Sequence, residues 1–211
     1  MEQREIRNYT FEVRAEQDEQ HGHFLSGRPI VYDAPTEMFD IFTGEYTEII
    51  DRGALDNTDL TDVRFLVNHN TDMIPLARSR NNNDNSTMQL RVVEEGMDIR
   101  VDLDTENNAD AKALYSAVGR GDITGMSFMF IVDKDSWDNV DTDHPTRHIR
   151  SFRKVLEVSA VTFPAYAQTS INTRGLSGAL EGVKESLESA RAAKRAVERQ
   201  KQRIKILTEV L

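Results

Sequence analysis

Gly96-Met97-Asp98-Ile99-Arg100-Val101-Asp102-Leu103 alternates apolar and charged residues without a break. A period of two puts Met97, Ile99, Val101 and Leu103 on one face and the charges on the other, the pattern of a strand that covers a core on one side. Working outward, the same reading holds for most of the chain. On the N-terminal side, residues 5–13, 22–32, 46–50, 64–69, 74–79 and 87–93 read as strands, and Asn81-Asn82-Asn83-Asp84-Asn85-Ser86 as the turn between the last two. On the C-terminal side, residues 122–132 read as a long strand, 133–145 as an exposed acidic loop, and 148–152 and 155–163 as the arms of a final hairpin.

Two segments break the pattern. Residues 109–118 are rich in good helix formers, with Asn107 or Asn108 as cap and Gly119 and Gly121 as stop. Near the end, Leu180, Val183, Leu187, Ala190, Val197, Ile204 and Leu211 recur at three- and four-residue steps, with Lys194, Lys201 and Thr208 interrupting the seam. That is a heptad-like helix suited either to the body or to a partner. Gly175, Ser177 and Gly178 form a plausible hinge before it. The expected organisation is a mainly β α+β domain over residues 1–174, then a hinge and amphipathic tail over 175–211.

Charge divides the chain at the same place. Of the net -10 over 211 residues, residues 176–211 carry +3 and the rest -13. An acidic body repels phosphates, so nucleic acid is not an expected partner. No apolar run reaches about 18 residues, so no membrane span is expected. The charged N-terminus, Met1-Glu2-Gln3-Arg4-Glu5, does not read as a signal peptide. The absence of cysteine excludes disulfides, thiolate metal sites and a cysteine nucleophile.

Nucleophilic chemistry would therefore fall to Ser, Thr or Lys. Ser127 is the most unusual serine, set in Gly125-Met126-Ser127-Phe128-Met129-Phe130 among large apolar groups. A serine hydroxyl needs a base, and histidine titrates in the right range. Of His21, His23, His69, His144 and His148, His69 ends an apolar strand, Leu66-Val67-Asn68-His69, where a core strand reaches the sheet rim. A third group should orient the imidazole. Glu157, in the otherwise apolar Val155-Leu156-Glu157-Val158-Ser159-Ala160, must face water or be paired. His148 is the rival for that role. The carboxylates from Asp133 to Asp143 lack the glycine and terminal glutamate of a calcium loop, so no metal or other cofactor is expected.

Three blocks together resemble the phage prohead maturation proteases, a family similar in fold to the herpesvirus assemblin proteases. They are Phe65-Leu66-Val67-Asn68-His69-Asn70 with Pro75-Leu76-Ala77-Arg78, then Ile123 to Phe130, then Leu156-Glu157-Val158-Ser159-Ala160-Val161-Thr162-Phe163-Pro164-Ala165-Tyr166. The resemblance covers about the first 170 residues. It implies a closed or nearly closed β-barrel flanked by helices, with Ser127 as nucleophile, His69 as base and Glu157 as third member. Assemblins use a second histidine there, which keeps His148 open. Ala165 and Tyr166, beside Pro164, are candidate oxyanion donors. The implied activity is endopeptidase cleavage of the scaffold or capsid-protein extension, and of the enzyme itself, inside the prohead in the host cytoplasm. The implied partners are the major capsid protein and scaffold, with self-association through the tail. The competing reading is a non-catalytic scaffold protein that binds shell subunits, with a metal-dependent nuclease further behind.

Overall fold

The computed structural model describes residues 4–9, 13–19, 22–40, 43–162 and 177–209. In chain order its strands are β1 (Glu5–Tyr9), β2 (Val13–Asp18), β3 (Gly22–Val31), β4 (Thr36–Asp40), β5 (Gly44–Ile50), β6 (Arg64–Val67), β7 (Ala77–Arg78), β8 (Met88–Val93), β9 (Gly96–Asp102), β10 (Gly125–Asp138) and β11 (Thr146–Val161). The helices are α1 (Ala109–Gly119) and α2 (Ser177–Glu209).

The strands form two sheets. One runs β2-β3-β9-β8; the other runs β1-β10-β11-β5-β4, with β6 and β7 branching from β11. The alternation in β9 is realised as read: Met97, Ile99 and Val101 are buried, while Asp98 meets Arg28 and Arg100 meets Asp18. The three buried side chains join Phe65, Met126, Phe128, Phe130, Phe152 and Val158 from the larger sheet and Leu114 and Val118 from α1 in one core. Gly96 is demanded by close approach. Its φ is +151°, and a Cβ there would stand 1.9 Å from the Ile30 carbonyl oxygen.

The expected barrel is corrected: among the described residues the pairing does not close. The cause lies in β11. One of its edges carries β10 along the strand, with four register shifts. Its other edge is divided, Thr146–Ile149 running parallel to β5 and Glu157–Ala160 parallel to β6. A strand whose edge is shared in this way branches the sheet, and β4 and β1 remain edges.

Local expectations are also revised. β11 is a single strand rather than two hairpin arms, because Arg153-Lys154 contains no residue that bends the backbone and Asp59 bridges to it. β10 runs to Asp138, so half of the expected acidic loop is strand. Three of its carboxylates are engaged: Asp133 accepts from Ser151, Asp135 from Arg147 and Asp141 from Lys194. Residues 74–79 yield only the short β7, and β4 was not anticipated. Helix α1 matches, with the Asn108 side chain accepting from the Asp110 and Ala111 amides.

Sequence reading did not reveal a buried ion cluster joining β1, β5 and β11. Arg147 donates to Glu5 at 2.7 and 3.0 Å and to Glu48 at 3.1 Å, and Arg7 also bridges Glu5 and Glu48. Burial by itself pushes the Glu5 carboxyl up, but the Arg147 and Arg7 guanidiniums hold it down at about 2. Its contribution to stability is present above the ordinary value of 4.5 and lost as pH falls toward 2. Desolvation offsets much of such a cluster's attraction. Its consequence is positional: β1 can lie on β10 only in the register that pairs these charges.

The tail is divided. Val183 and Leu187 of α2 pack on Tyr46, Trp137 and Val140, the Trp137 indole donates to Ser186 at 2.9 Å, and Arg191 donates to the Val140 carbonyl at 2.7 Å. Beyond Arg191 the helix is exposed through residue 205, including Val197 and Ile204. Of the expected hinge, Ser177 and Gly178 are already helical and Gly175 lies outside the described residues. Deleting residues 196–211 is therefore expected to leave the melting temperature within about 2 °C of the full chain. Deleting 177–211 uncovers the Tyr46–Trp137 patch and should lower it by roughly 10 °C. Equal melting of the two truncations, measured by circular dichroism, would contradict this division.

Candidate active site

β6 is a short buried strand, and the turn after it determines where His69 goes. The Asn68 amide still donates to the Ala160 carbonyl at 2.9 Å, after which the chain turns through Val67–Asn70, closed by Asn70 N–H to Val67 C=O at 3.1 Å. Asn68 and His69 both have left-handed backbone, φ 53° and 56°, a conformation that Asn and His adopt more readily than most residues. The Asn68 side chain is tied to Thr162, accepting from its amide and donating to its hydroxyl, each at 2.9 Å. The turn thereby folds His69 back over the end of β11.

There His69 meets Glu157. Its Nδ1 lies 2.5 Å from Oε1 of the Glu157 carboxylate. The other carboxylate oxygen, Oε2, accepts from the Ser159 hydroxyl at 2.5 Å, and Ser159 Oγ in turn accepts the His69 backbone N–H at 3.1 Å. Glu157 and Ser159 are two apart on a strand and so share a face. Both are buried, as a carboxylate can be only when its lone pairs are taken. With the carboxylate against Nδ1, the neutral ring is the tautomer that carries its proton there.

Ser127 is beside this group. It is the cross-strand partner of Ser159 in the β10–β11 ladder and shares its face. The opposite face of β10 carries Met126 and Phe128 into the core. Ser127 is fully buried, and its hydroxyl donates to the Arg7 carbonyl of β1 at 2.8 Å. The structure thus hydrogen-bonds His69 to Glu157 and sets Ser127 one strand away, with its proton directed to β1.

The remaining candidates lie elsewhere. His148 sits nine residues before Glu157 on β11, its Nδ1 2.8 Å from Asp51 and its Nε2 3.4 Å from Asp138. His144 meets Glu37, and His23 meets Thr105. Ala165, Tyr166 and His21 lie outside the described residues. Among the described residues no three His, Asp or Glu side chains are grouped to hold a metal ion. No helix among them is long and apolar enough to cross a membrane. A cleft of about 560 Å³ on the four-stranded sheet, lined by Arg14, Arg28 and Asp98 among others, contains none of the candidate residues.

Ser159 and the Arg7 carbonyl were not singled out in the sequence. The two-residue spacing from Glu157 could have indicated Ser159; nothing local points to Arg7.

An imidazole backed by a buried carboxylate, beside a strand serine, is the equipment of a serine hydrolase. The chain belongs to the caudovirus prohead serine protease family, which matches residues 9–181. It is accordingly a serine protease with a role in phage head maturation. No curated protein and no solved structure matches it.

The His69–Glu157 contact has a direct spectroscopic consequence. A proton held between an imidazole Nδ1 and a carboxylate resonates far downfield in the proton NMR spectrum. That signal is expected in the full chain and in a His148→Ala variant, and expected to vanish in Glu157→Gln. Its survival in Glu157→Gln would contradict the pairing.

Proposed function

We propose that this protease is an endopeptidase that uses Ser127 as nucleophile, His69 as general base and Glu157 as the group that orients His69. The observation that carries the reading is the His69–Glu157 pair held against the strand position directly across from Ser127. In the reaction, Ser127 Oγ attacks the scissile carbonyl carbon while His69 takes its proton on Nε2. The carboxylate of Glu157 stabilises the imidazolium that results. Collapse of the tetrahedral intermediate breaks the C–N bond, and His69 returns the proton to the leaving amine. Water then repeats the sequence on the acyl-enzyme. Backbone amides of Ala165 and Tyr166 are the proposed donors to the oxyanion, a contribution of a few kcal/mol in enzymes of this kind.

For attack, the Ser127 hydroxyl has to leave the Arg7 carbonyl and donate to His69 instead. One side-chain torsion with three staggered wells governs that exchange, and catalytic hydrogen bonds commonly tighten only once substrate is bound. The proposed substrates are the scaffold or capsid-protein extension inside the prohead, in the host cytoplasm, and the enzyme itself. The major capsid protein and scaffold are then the partners, with the exposed stretch 192–205 of α2 as the surface for docking to them or for self-association.

Co-expression with the capsid and scaffold proteins of the same phage, with mass spectrometry of the products, tests this. The wild-type chain should cut at defined junctions. Folded Ser127→Ala and His69→Ala variants should each lose roughly four to six orders of magnitude, because the two act as a unit. Near-normal cleavage by folded Ser127→Ala protein would contradict the assignment.

A further inference from the structure

The Ser159 hydroxyl is a buried group for which the proposed reaction has no direct use, yet its hydrogen bonds run in one direction only. An amide N–H cannot accept, so the 3.1 Å contact from the His69 backbone must end on a Ser159 lone pair. A carboxylate cannot donate, so the single Ser159 proton goes to Glu157 Oε2 at 2.5 Å. Glu157 Oε1 then faces His69 Nδ1 at 2.5 Å. The four groups close a loop that begins at the backbone of His69 and returns to its ring.

We infer that Ser159 is the positioning residue of this site. It fixes the Glu157 carboxylate in the one rotamer that faces Nδ1, and it holds the His69 backbone in the left-handed turn that brings the ring to that carboxylate. Three observations carry this. Ser159 is fully buried, so no water competes for its hydroxyl. It contacts both members of the pair rather than one. It is also the cross-strand partner of Ser127, so the group that sets the imidazole is anchored to the same register that sets Ser127. Aligned donors in a buried chain polarise one another, and removing a link weakens the rest. Ser159 forms and breaks no bond in the proposed reaction, and its effect passes through Glu157 and His69. The inference rests on the reading of His69 as base.

The test uses the full chain and a peptide spanning a junction mapped in the capsid or scaffold protein. Ser159→Ala should fold, lower kcat by about 10- to 100-fold, the rate equivalent of one hydrogen bond to a charged group, and leave KM unchanged. Ser159→Thr, which keeps the hydroxyl on a side chain suited to a strand, should recover most of kcat. In a Ser127→Ala background, where no turnover is needed, Ser159→Ala should shift or broaden the downfield Nδ1 proton resonance of His69. Wild-type kcat with an unchanged resonance in Ser159→Ala overturns the inference. So does an equal loss in the Ala and Thr variants with an unchanged resonance, since packing alone would then be at stake. If the wild-type chain does not cleave at all, the catalytic reading fails by itself, and the resonance still decides whether Ser159 orders the pair.

Discussion

A carboxylate buried in the middle of a sheet has to be hydrogen-bonded, and Glu157 imposes that requirement on everything around it. Unpaired, the charge would cost several kcal/mol. Its two oxygens are taken by a histidine from one side and a serine from its own strand. Satisfying them requires the β6 turn to double back, which places left-handed backbone at Asn68 and His69 and a clamp from Asn68 to Thr162. It also requires β6 to run parallel to the end of β11, since Asn68 reaches the turn from the Ala160 carbonyl. The branching of the larger sheet and the geometry of the site are thus two aspects of one arrangement.

A second buried cluster governs the other side of β10. Arg7, Glu5, Glu48 and Arg147 pin β1 to the sheet, and the carbonyl of Arg7 is the acceptor for the Ser127 hydroxyl. Ser127 is therefore held between two strands, one bringing the histidine pair and one supplying a resting acceptor. The first turns of α2 are joined to the same side of the protein, because Asp135 accepts from both Arg147 and Ser186. Farther along that helix, residues 192–205 are exposed.

Much of this was legible in the sequence, for identifiable reasons. Alternation in residues 96–103, helix formers in 109–118 and the Asn108 cap each express a local preference that tertiary packing did not override. Glu157 and His69 stood out because a polar residue in an apolar strand demands an explanation. The rest depended on contacts distant in sequence. The expected barrel was the part that failed, because whether β11 gives its edge to one strand or two depends on the path of residues 51–63 between them, which no local pattern sets. Nothing in the sequence around Arg147 marks it, and its burial arises only when Glu5 and Glu48 arrive from elsewhere. The net positive charge of the tail does not tell that two of its cations, Arg191 and Lys194, are taken by Val140 and Asp141.

The central claim is that Ser127 is the activated nucleophile and that the group activating it is the His69–Glu157 pair. Treating the folded full chain with a fluorophosphonate probe and mapping the adduct by mass spectrometry addresses it without knowledge of any substrate, since such probes phosphonylate activated serines in preference to ordinary ones. The account predicts a single adduct on Ser127, abolished by His69→Ala and slowed by Glu157→Gln. Labelling on Ser159 or another serine, or labelling of Ser127 that does not depend on His69, would contradict it.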